Sequence, residues 1–316
     1  MRSVLCLVAV LLLGAMRVVA AEREVVVSAS WGDISASLSL PDKATDTAML
    51  IVAGSGPTDR NGNSSLSLKT YAYAMLAEQL TEQGYAVMRY DKRGVGLSTI
   101  REQMERALVF DDYVDDAELC VEYLRGEGYG RIVIVGHSEG GDIALHLAER
   151  GKVDALVLLC AAGYCIDTIL MRQLSAQLVP SHLGLMSSAT SILQSLKRGK
   201  TIPEERIPKE LISLFHPSVQ PYLISCMQDD PCAMIAALQM PILIVTGGRD
   251  VQISVDNGEA LHRAQPAAKH ITFENMSHVL KDASSADRVE QLTSVYINSQ
   301  QPLTEGLVES IAEFIN

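Results

Sequence analysis

The most reactive pattern in the sequence is a serine between glycines at the end of an apolar run. Residues 131–141 read RIVIVGHSEGG, so Ser138 follows a β-branched stretch and precedes a helical spacing of apolar residues at 142–150. A strand that enters a helix through a strained turn exposes the serine hydroxyl and lets a base approach it. Gly136 and Gly140 leave room for such a turn. The pattern predicts a nucleophile elbow with Ser138 as the nucleophile.

A serine nucleophile needs a base, and the base needs a carboxylate that orients it. Of the seven histidines, only His278 lies in a loop after the last predicted strand, where it can return over the carboxyl ends of the strands. Asp250 lies just beyond the strand predicted at 241–246, so it reaches the same edge of the sheet. A helix cap is the alternative role of Asp250, and Asp256 is the alternative acid. We expect Ser138, Asp250 and His278 to act together.

The negative charge that develops on a substrate carbonyl oxygen needs N–H donors that are fixed in advance. The amide of Glu139, directly after the nucleophile, is the first expected donor. The second is expected from residues 54–62, the loop after the first core strand. Because Pro57 has no N–H, Ser55 is the expected donor in that loop and Gly56 is the alternative.

The sequence predicts neither a metal site nor a cofactor. Residues 54–62 resemble the start of a calcium loop, but the glycine comes too early and Thr70 stands where such a loop has Glu. Residues 90–98, YDKRGVGLS, lack the Gly-Lys-Ser/Thr ending of a phosphate-binding loop, so we expect Asp91 and Arg93 to brace neighbouring loops. No Cys-x-x-Cys or histidine-rich spacing indicates a metal.

The elements that would position these residues alternate along the chain. Two short alternating runs around residues 31–33 predict an antiparallel hairpin. Apolar runs and helical patterns then alternate, which favours a mostly parallel sheet with helices on both faces. The predicted strands are 48–53, 86–90, 132–135, 153–159, 241–246 and 270–273, and the predicted helices are 70–83, 111–126, 142–150 and 306–315.

The alternation stops in a segment that is too long for a simple loop. Residues 163–240 contain helix-like patterns, prolines and many Met and Leu residues, and no convincing core strand. We interpret this segment as a helical cap over the active site whose apolar residues supply an acyl pocket. An oligomer interface is the alternative use of those residues.

The first 21 residues have the pattern of a cleaved secretory signal. Arg2 precedes an apolar stretch at 4–13, and small residues follow. This stretch is well short of the roughly 20 residues that span a bilayer, so a membrane anchor is the less favoured alternative. We expect a secreted or periplasmic protein with no stable membrane insertion after cleavage. The predicted parts are the signal at 1–21, a core at 22–162 and 241–316, and the cap at 163–240.

Composition restricts the class of protein and its partners. A chain of 316 residues with 48% apolar residues can form a large core and is not disordered. A net charge of −12, with no basic cluster beyond residues 197–200, argues against nucleic acid as a partner. Five cysteines follow the predicted signal, and an odd number cannot pair completely within one chain. The open alternatives are the pairs Cys160 with Cys165 and Cys226 with Cys232, or buried free thiols.

Five motifs carry a family resemblance: AGSGPTDR at 53–60, DKRG at 91–94, GHSEG at 136–140, GRD at 248–250 and SH at 277–278. Together they resemble the α/β-hydrolase superfamily, and more narrowly the bacterial exported esterases grouped with serine aminopeptidase-like hydrolases. The resemblance covers nearly all of the chain after the signal and is weakest in the cap. It implies an α/β-hydrolase fold with an eight-stranded sheet, a Ser-Asp-His triad in that chain order, and no cofactor. Many relatives have His-Gly where this chain has Ala-Gly at 53–54.

These features together predict a serine carboxylesterase that cleaves small or medium acyl esters through an acyl-enzyme on Ser138. Peptidases and thioesterases share the triad, and an aminopeptidase is the nearest alternative. An aminopeptidase would need carboxylates for the substrate amine, for which Glu139, Asp229 and Asp230 are the candidates. A non-catalytic binding protein on a hydrolase fold is disfavoured because all three triad candidates are present. The expected partner is a small-molecule ester or amide.

Overall fold

The computed structural model describes residues 21–65, 68–101, 108–177 and 183–316, so the predicted signal lies outside it apart from Ala21. The strands in these residues are β1 (Ala21–Ala29), β2 (Gly32–Leu40), β3 (Thr47–Val52), β4 (Asn63–Ser64), β5 (Leu68–Lys69), β6 (Ala86–Tyr90), β7 (Thr99–Ile100), β8 (Arg131–His137), β9 (Ala155–Leu159), β10 (Ile242–Gly247) and β11 (Lys269–Phe273). Every predicted strand is present, with bounds that differ by two residues or fewer at most ends.

The helices in the same residues are α1 (Ala72–Glu82), α2 (Asp111–Gly126), α3 (Glu139–Glu149), α4 (Ile166–Gln177), α5 (Leu183–Lys197), α6 (Ile212–Phe215), α7 (Gln220–Cys226), α8 (Pro231–Ala237), α9 (Val255–Ala264), α10 (Arg288–Ser294) and α11 (Leu307–Ile315). None of the helices in the described ranges is both long enough and apolar enough to cross a membrane.

One large twisted sheet organises the described part of the chain. Its strands follow the order β1, β2, β6, β3, β8, β9, β10, β11, and β7 pairs with β2 as a ninth strand. The pairs from β6 to β11 are parallel, whereas β2 is antiparallel to β1, β6 and β7. The predicted mostly parallel sheet and hairpin are confirmed, and the eight expected strands form the main path. The two-residue strand β7 was not predicted because it is too short to produce a pattern.

Both faces of the sheet are covered, which explains the continuous apolar runs in its central strands. In β8, Ile132 and Ile134 belong to one hydrophobic cluster, while Val133 and Val135 belong to the other. Helices α2 and α3 contribute to the first cluster, and α1 and α11 contribute to the second. The central strands therefore end in loops at one edge of a rigid platform, where a site can be built.

The described residues of the segment predicted as a cap form helices joined by short loops, and they contain no strand. It has a hydrophobic cluster of its own, in which Ala189, Leu196 and Phe215 are fully buried. These apolar side chains therefore pack against one another within this chain. Helix α8 differs, because it packs on α3 and α9 and places Ile235 in the main core. The bounds at 163 and 240 stay a prediction.

The five cysteines after the predicted signal are all free thiols. Cys120, Cys160 and Cys226 are buried, while Cys165 and Cys232 are half-buried. Neither of the two pairings considered from the sequence is formed, and the alternative of free thiols describes this structure.

Candidate active site

Ser138 lies in the sharp turn between β8 and α3. Its φ of 54° and ψ of −122° are values that a residue with a side chain rarely adopts. The turn is crowded, since a Cβ at Gly136 would lie 2.2 Å from the carbonyl oxygen of Gly140. A Cβ at Gly140 would likewise lie 2.2 Å from the carbonyl oxygen of Val52. The two glycines thus permit the strained turn that the sequence predicts around Ser138.

A short hydrogen bond joins the other two residues of the predicted triad. Nδ1 of His278 lies 2.7 Å from Oδ2 of Asp250, whose side chain is completely buried. The amides of Gln252 and Ile253 donate to Oδ1 of Asp250 at 2.7 and 2.8 Å. The carboxylate is therefore fixed by donors on both oxygens. Since a carboxylate only accepts, the imidazole proton is assigned to Nδ1, and Nε2 is left as an acceptor.

The alternative acid, Asp256, is engaged elsewhere. Its carboxylate forms an ion pair with Arg172 at 2.6 Å and is 41% exposed in the first turn of α9. Asp250, in contrast, is buried against His278. Of the two candidate acids, Asp250 and not Asp256 contacts the imidazole of His278.

Ser138 and His278 line one cavity at the carboxyl edge of the sheet. The cavity has a volume of about 70 Å³, and Gly54, Ser55 and Leu280 also line it. This volume is small compared with the roughly 300–1,000 Å³ that is usual for small-molecule sites. Within the described residues, no hydrogen bond joins the Ser138 hydroxyl to the imidazole of His278. A small rotation about a side-chain torsion is the kind of adjustment that forms this contact when a substrate binds.

The strand order brings the loop after β3 against Ser138. Val52 of β3 pairs with Gly136 of β8. Gly54 comes two residues after Val52 and Ser138 comes two residues after Gly136, so the two lie side by side. A Cβ at Gly54 would lie 3.1 Å from the Cβ of Ser138. The loop that was expected to supply the second oxyanion donor is therefore beside the serine.

The amides near Ser138 differ in their partners. The N–H of Gly54 donates to the hydroxyl of Tyr73 at 3.2 Å. In the described part of the chain, neither the N–H of Ser55 nor that of Glu139 has a hydrogen-bond partner. Ser55 lines the cavity and Gly56 is absent from its lining. The geometry thus favours Ser55 over its alternative as a donor.

His137 connects the His278 loop with the Gly54 loop. Its Nε2 lies 2.7 Å from the carbonyl oxygen of His278, and its Nδ1 lies 2.7 Å from the hydroxyl of Tyr73. Burial, and then the neighbouring His278, lowers the pKa of the His137 imidazole to about 3, so the ring is neutral at neutral pH. No sequence signal indicated this chain of hydrogen bonds, because its side chains come from distant elements.

One cluster in the described residues has the composition of a metal site. Ligand atoms of His137, Cys160 and His278 all lie within 4.8 Å of one another. Both ring nitrogens of His137 already make hydrogen bonds. Burial, followed by the charge of Asp250, raises the pKa of the Cys160 thiol and keeps it protonated. These groups therefore do not fit a metal ion in their present bonding.

The charged turn after β6 braces the loops around the site, as expected for Asp91 and Arg93. Asp91 accepts hydrogen bonds from the backbone and side chain of Arg60 and from the amide of Leu97. Arg93 donates to the buried carboxylate of Asp116 at 2.7 Å. These pairs are almost completely buried, so they hold the loops in one arrangement.

A second cavity is acidic. Glu139, Asp142 and Asp229 line it together with other residues of the segment predicted as a cap. Oδ1 of Asp142 is buried without a hydrogen-bond partner among the described residues. Burial, and then the charges of Glu139 and Asp229, raise the pKa of the Asp142 carboxyl. Sequence reasoning missed Asp142 because its position in the helix, three residues after Glu139, carries no signal of its own.

The segment predicted as a cap contacts Glu139, the residue after Ser138, directly. The hydroxyl of Tyr222, in α7, donates to the carboxylate of Glu139, and His146 contacts Asp229 at 3.1 Å. Asp230, another candidate for an amine subsite, instead caps α8. Of the three acidic candidates from the sequence, only Glu139 and Asp229 line the acidic cavity.

A family model described as serine aminopeptidase, S33, matches residues 69–281, which is more than half of the chain. The chain belongs to this family. The matched residues include Ser138, Asp250 and His278, and they span the segment predicted as a cap as well as most of the parallel sheet.

Among curated relatives, the chain is similar to esterase EstD of Thermotoga maritima. The two are 27% identical over 245 residues, which cover 74% of this chain and 54% of that protein. The chain therefore spans about half the length of the curated relative that it matches.

Solved structures of esterases have the same fold as this family member. An esterase of Pyrococcus furiosus matches with a TM-score of 0.57 and 17% identity, over 94% of this chain and 90% of the other. Est1E from Butyrivibrio proteoclasticus, with bound ferulic acid, matches with a TM-score of 0.58 and 17% identity, over 92% and 97% of the chains. These similarities, together with the sheet order, confirm the expected α/β-hydrolase fold.

Proposed function

We propose that this protein is a serine carboxylesterase that cleaves small or medium acyl esters through an acyl-enzyme on Ser138. The hydrogen bond of 2.7 Å between His278 and the buried Asp250, in one cavity with the strained Ser138, carries this proposal. The esterase names of the curated relative and of the matched structures support esters as the substrate class.

The proposed reaction has two steps. Ser138 Oγ attacks the ester carbonyl while Nε2 of His278 takes the hydroxyl proton and Asp250 holds the imidazolium. The N–H groups of Ser55 and Glu139 bind the oxyanion. The carbon–oxygen bond to the alcohol then breaks, and the alcohol leaves with the proton from Nε2. Water, deprotonated by the same nitrogen, attacks the acyl group and releases the carboxylic acid and free Ser138.

The proposal is tested by hydrolysis rates of nitrophenyl esters of increasing chain length, measured beside an aminoacyl nitroanilide. We expect turnover of the short and medium esters to exceed that of the anilide and of long-chain esters, because the cavity beside Ser138 is small. Preferential turnover of the anilide would instead favour a peptidase.

An aminopeptidase is the second candidate, favoured by the acidic cavity that Glu139, the residue after Ser138, lines. Glu139 and Asp229 already have partners in Tyr222 and His146, whereas Oδ1 of Asp142 has none among the described residues. An ammonium group of a substrate would satisfy that oxygen and reduce the repulsion among the three carboxyl groups.

The two candidates predict different responses to a free amine on the acyl group. We expect a ratio of kcat/KM near one between an aminoacyl nitrophenyl ester and its N-acetyl counterpart, as for a carboxylesterase. A ratio above about ten, worth roughly 1.4 kcal/mol, that falls towards one in Asp142→Asn would favour the aminopeptidase instead. Asp230→Asn is the matched control, because Asn also caps helices well and Asp230 does not line the cavity.

We also propose that residues 1–21 are an export signal and that residues 163–240 form a cap over a core of 22–162 and 241–316. The contact of Tyr222 with Glu139 supports a cap that faces the site.

For the signal, we expect N-terminal sequencing of protein recovered from the periplasm or the medium to begin at Glu22. Recovery of only the uncleaved chain, from the cytosol, would contradict export.

A further inference from the structure

Lys92 is a buried lysine for which the proposed reaction has so far no use. It is 2% exposed and lies in the turn directly after β6, between the bracing residues Asp91 and Arg93. Its Nζ donates to the carbonyl oxygen of Gly54 at 2.6 Å and lies 3.9 Å from the carboxylate of Glu139. Burial of an ammonium group costs free energy unless polar or charged partners offset the loss of water. The carbonyl of Gly54 and the carboxylate of Glu139 are such partners for Lys92.

The sheet register brings Lys92 to this place. Ile51 of β3 pairs with Arg89 of β6, and Gly54 and Lys92 each follow three residues later. On the other side of β3, the same loop meets Ser138. Gly54 is therefore flanked by the lysine on one side and the serine on the other.

The hydrogen bond to Gly54 also fixes the N–H of Ser55. The carbonyl of Gly54 and the amide of Ser55 belong to one peptide unit, and the described chain has no cis peptide bond. In a trans unit the carbonyl and the N–H point in opposite directions. A donor that holds the carbonyl of Gly54 therefore turns the N–H of Ser55 away from Lys92, and Ser55 lines the cavity together with Ser138.

The preceding peptide unit is held as well. The N–H of Gly54 donates to the hydroxyl of Tyr73, so two consecutive peptide units of this loop have buried partners. A charged donor also polarises the peptide that it binds, which strengthens the N–H at its other end as a donor. The lysine contacts the side chain of Glu139, whose own amide is the other proposed donor.

We propose that Lys92 is a positioning residue that orients and polarises the Ser55 amide for the oxyanion. The inference rests on the proposed function, because it assigns Lys92 to the same reaction. Its effect acts on the transition state, in which the oxygen carries negative charge, and much less on the bound ester, in which it does not.

The test compares Lys92→Met and Lys92→Gln with the parent enzyme. Met keeps most of the apolar stem and loses the donor, so we expect kcat to fall roughly 10- to 100-fold while KM stays within about threefold. Gln retains a neutral N–H donor, so we expect its kcat to lie between those of Lys92→Met and the parent. The melting temperature and the fraction of chains that a fluorophosphonate finally labels report folding independently of rate.

A second readout separates positioning from a structural role. A trifluoromethyl ketone that adds to Ser138 forms an oxyanion, whereas the corresponding alcohol does not. We expect the affinity of the ketone to fall in Lys92→Met by about the same factor as kcat/KM, with little change for the alcohol. Equal losses for both compounds, or kcat within about twofold of the parent in a folded variant, would overturn the proposal. If Lys92→Met does not fold, Lys92→Gln must show the ketone-selective loss, and its absence counts against the proposal.

Failure of the proposed function gives a different result. If the parent hydrolyses no ester, the rate at which fluorophosphonate labels Ser138 still reports the oxyanion site, because the phosphoryl oxygen occupies it. Slower labelling of Lys92→Met would then support the role of Lys92 without the esterase activity, and equal labelling rates would overturn it. A parent that is neither active nor labelled overturns both proposals.

Discussion

Ser138→Ala is expected to lower kcat for ester hydrolysis by about 10⁵-fold or more, to the level that binding alone provides. The substitution removes the only group proposed to form the acyl-enzyme, and it leaves the strained backbone of the turn in place. The measurement is the initial rate with a short-chain nitrophenyl ester, combined with mass spectrometry of the fluorophosphonate-treated protein. We expect an added phosphonyl group on the parent and none on the variant.

The matched control is Ser191→Ala, which removes an exposed hydroxyl in α5. It is expected to keep the parental rate and labelling. Turnover that survives in Ser138→Ala with parental kcat would refute the acyl-enzyme mechanism, and labelling at another residue would identify the true nucleophile.

Asp250→Asn is expected to lower kcat by about 10⁴-fold at neutral pH with little change in fold. The amides of Gln252 and Ile253 both donate to Oδ1 of Asp250, so the carbonyl oxygen of an Asn at this position must face them. Its NH₂ group then faces Nδ1 of His278 and donates to it. This forces the imidazole proton onto Nε2, where the ring cannot accept the proton of Ser138.

Two measurements check this tautomer argument. Nitrogen NMR of the His278 ring should place the proton on Nδ1 in the parent and on Nε2 in Asp250→Asn. Asp256→Asn, a substitution at the exposed alternative acid, is expected to change kcat by less than about twofold. A large loss in Asp256→Asn together with a small one in Asp250→Asn would reverse the assignment of the acid.

The chemistry-bearing turn could be predicted because its signals are local. A β-branched run, two glycines and a helical spacing all lie within 20 residues of Ser138, and each reflects a backbone preference of its own segment. The central strands were equally clear, since side chains on both faces of β8 are buried and leave a continuous apolar run. Asp250 and His278 could be proposed because each follows a recognisable strand, although their contact could not be derived from spacing.

The hydrogen-bond partners of the buried residues around Ser138 depend on the tertiary structure. The sequence determined that Ser138 sits on a strained turn, that helices flank a mostly parallel sheet, and that a long helical segment interrupts it. The contact of Lys92 with Gly54, and the link from His137 to Tyr73, depend on strand order, because β3 lies between β6 and β8. Such contacts join residues far apart in the chain, where short-range periodicity carries no information. The burial of Lys92 and His137 results from the assembled sheet and its loops, so it cannot be predicted from the local sequence.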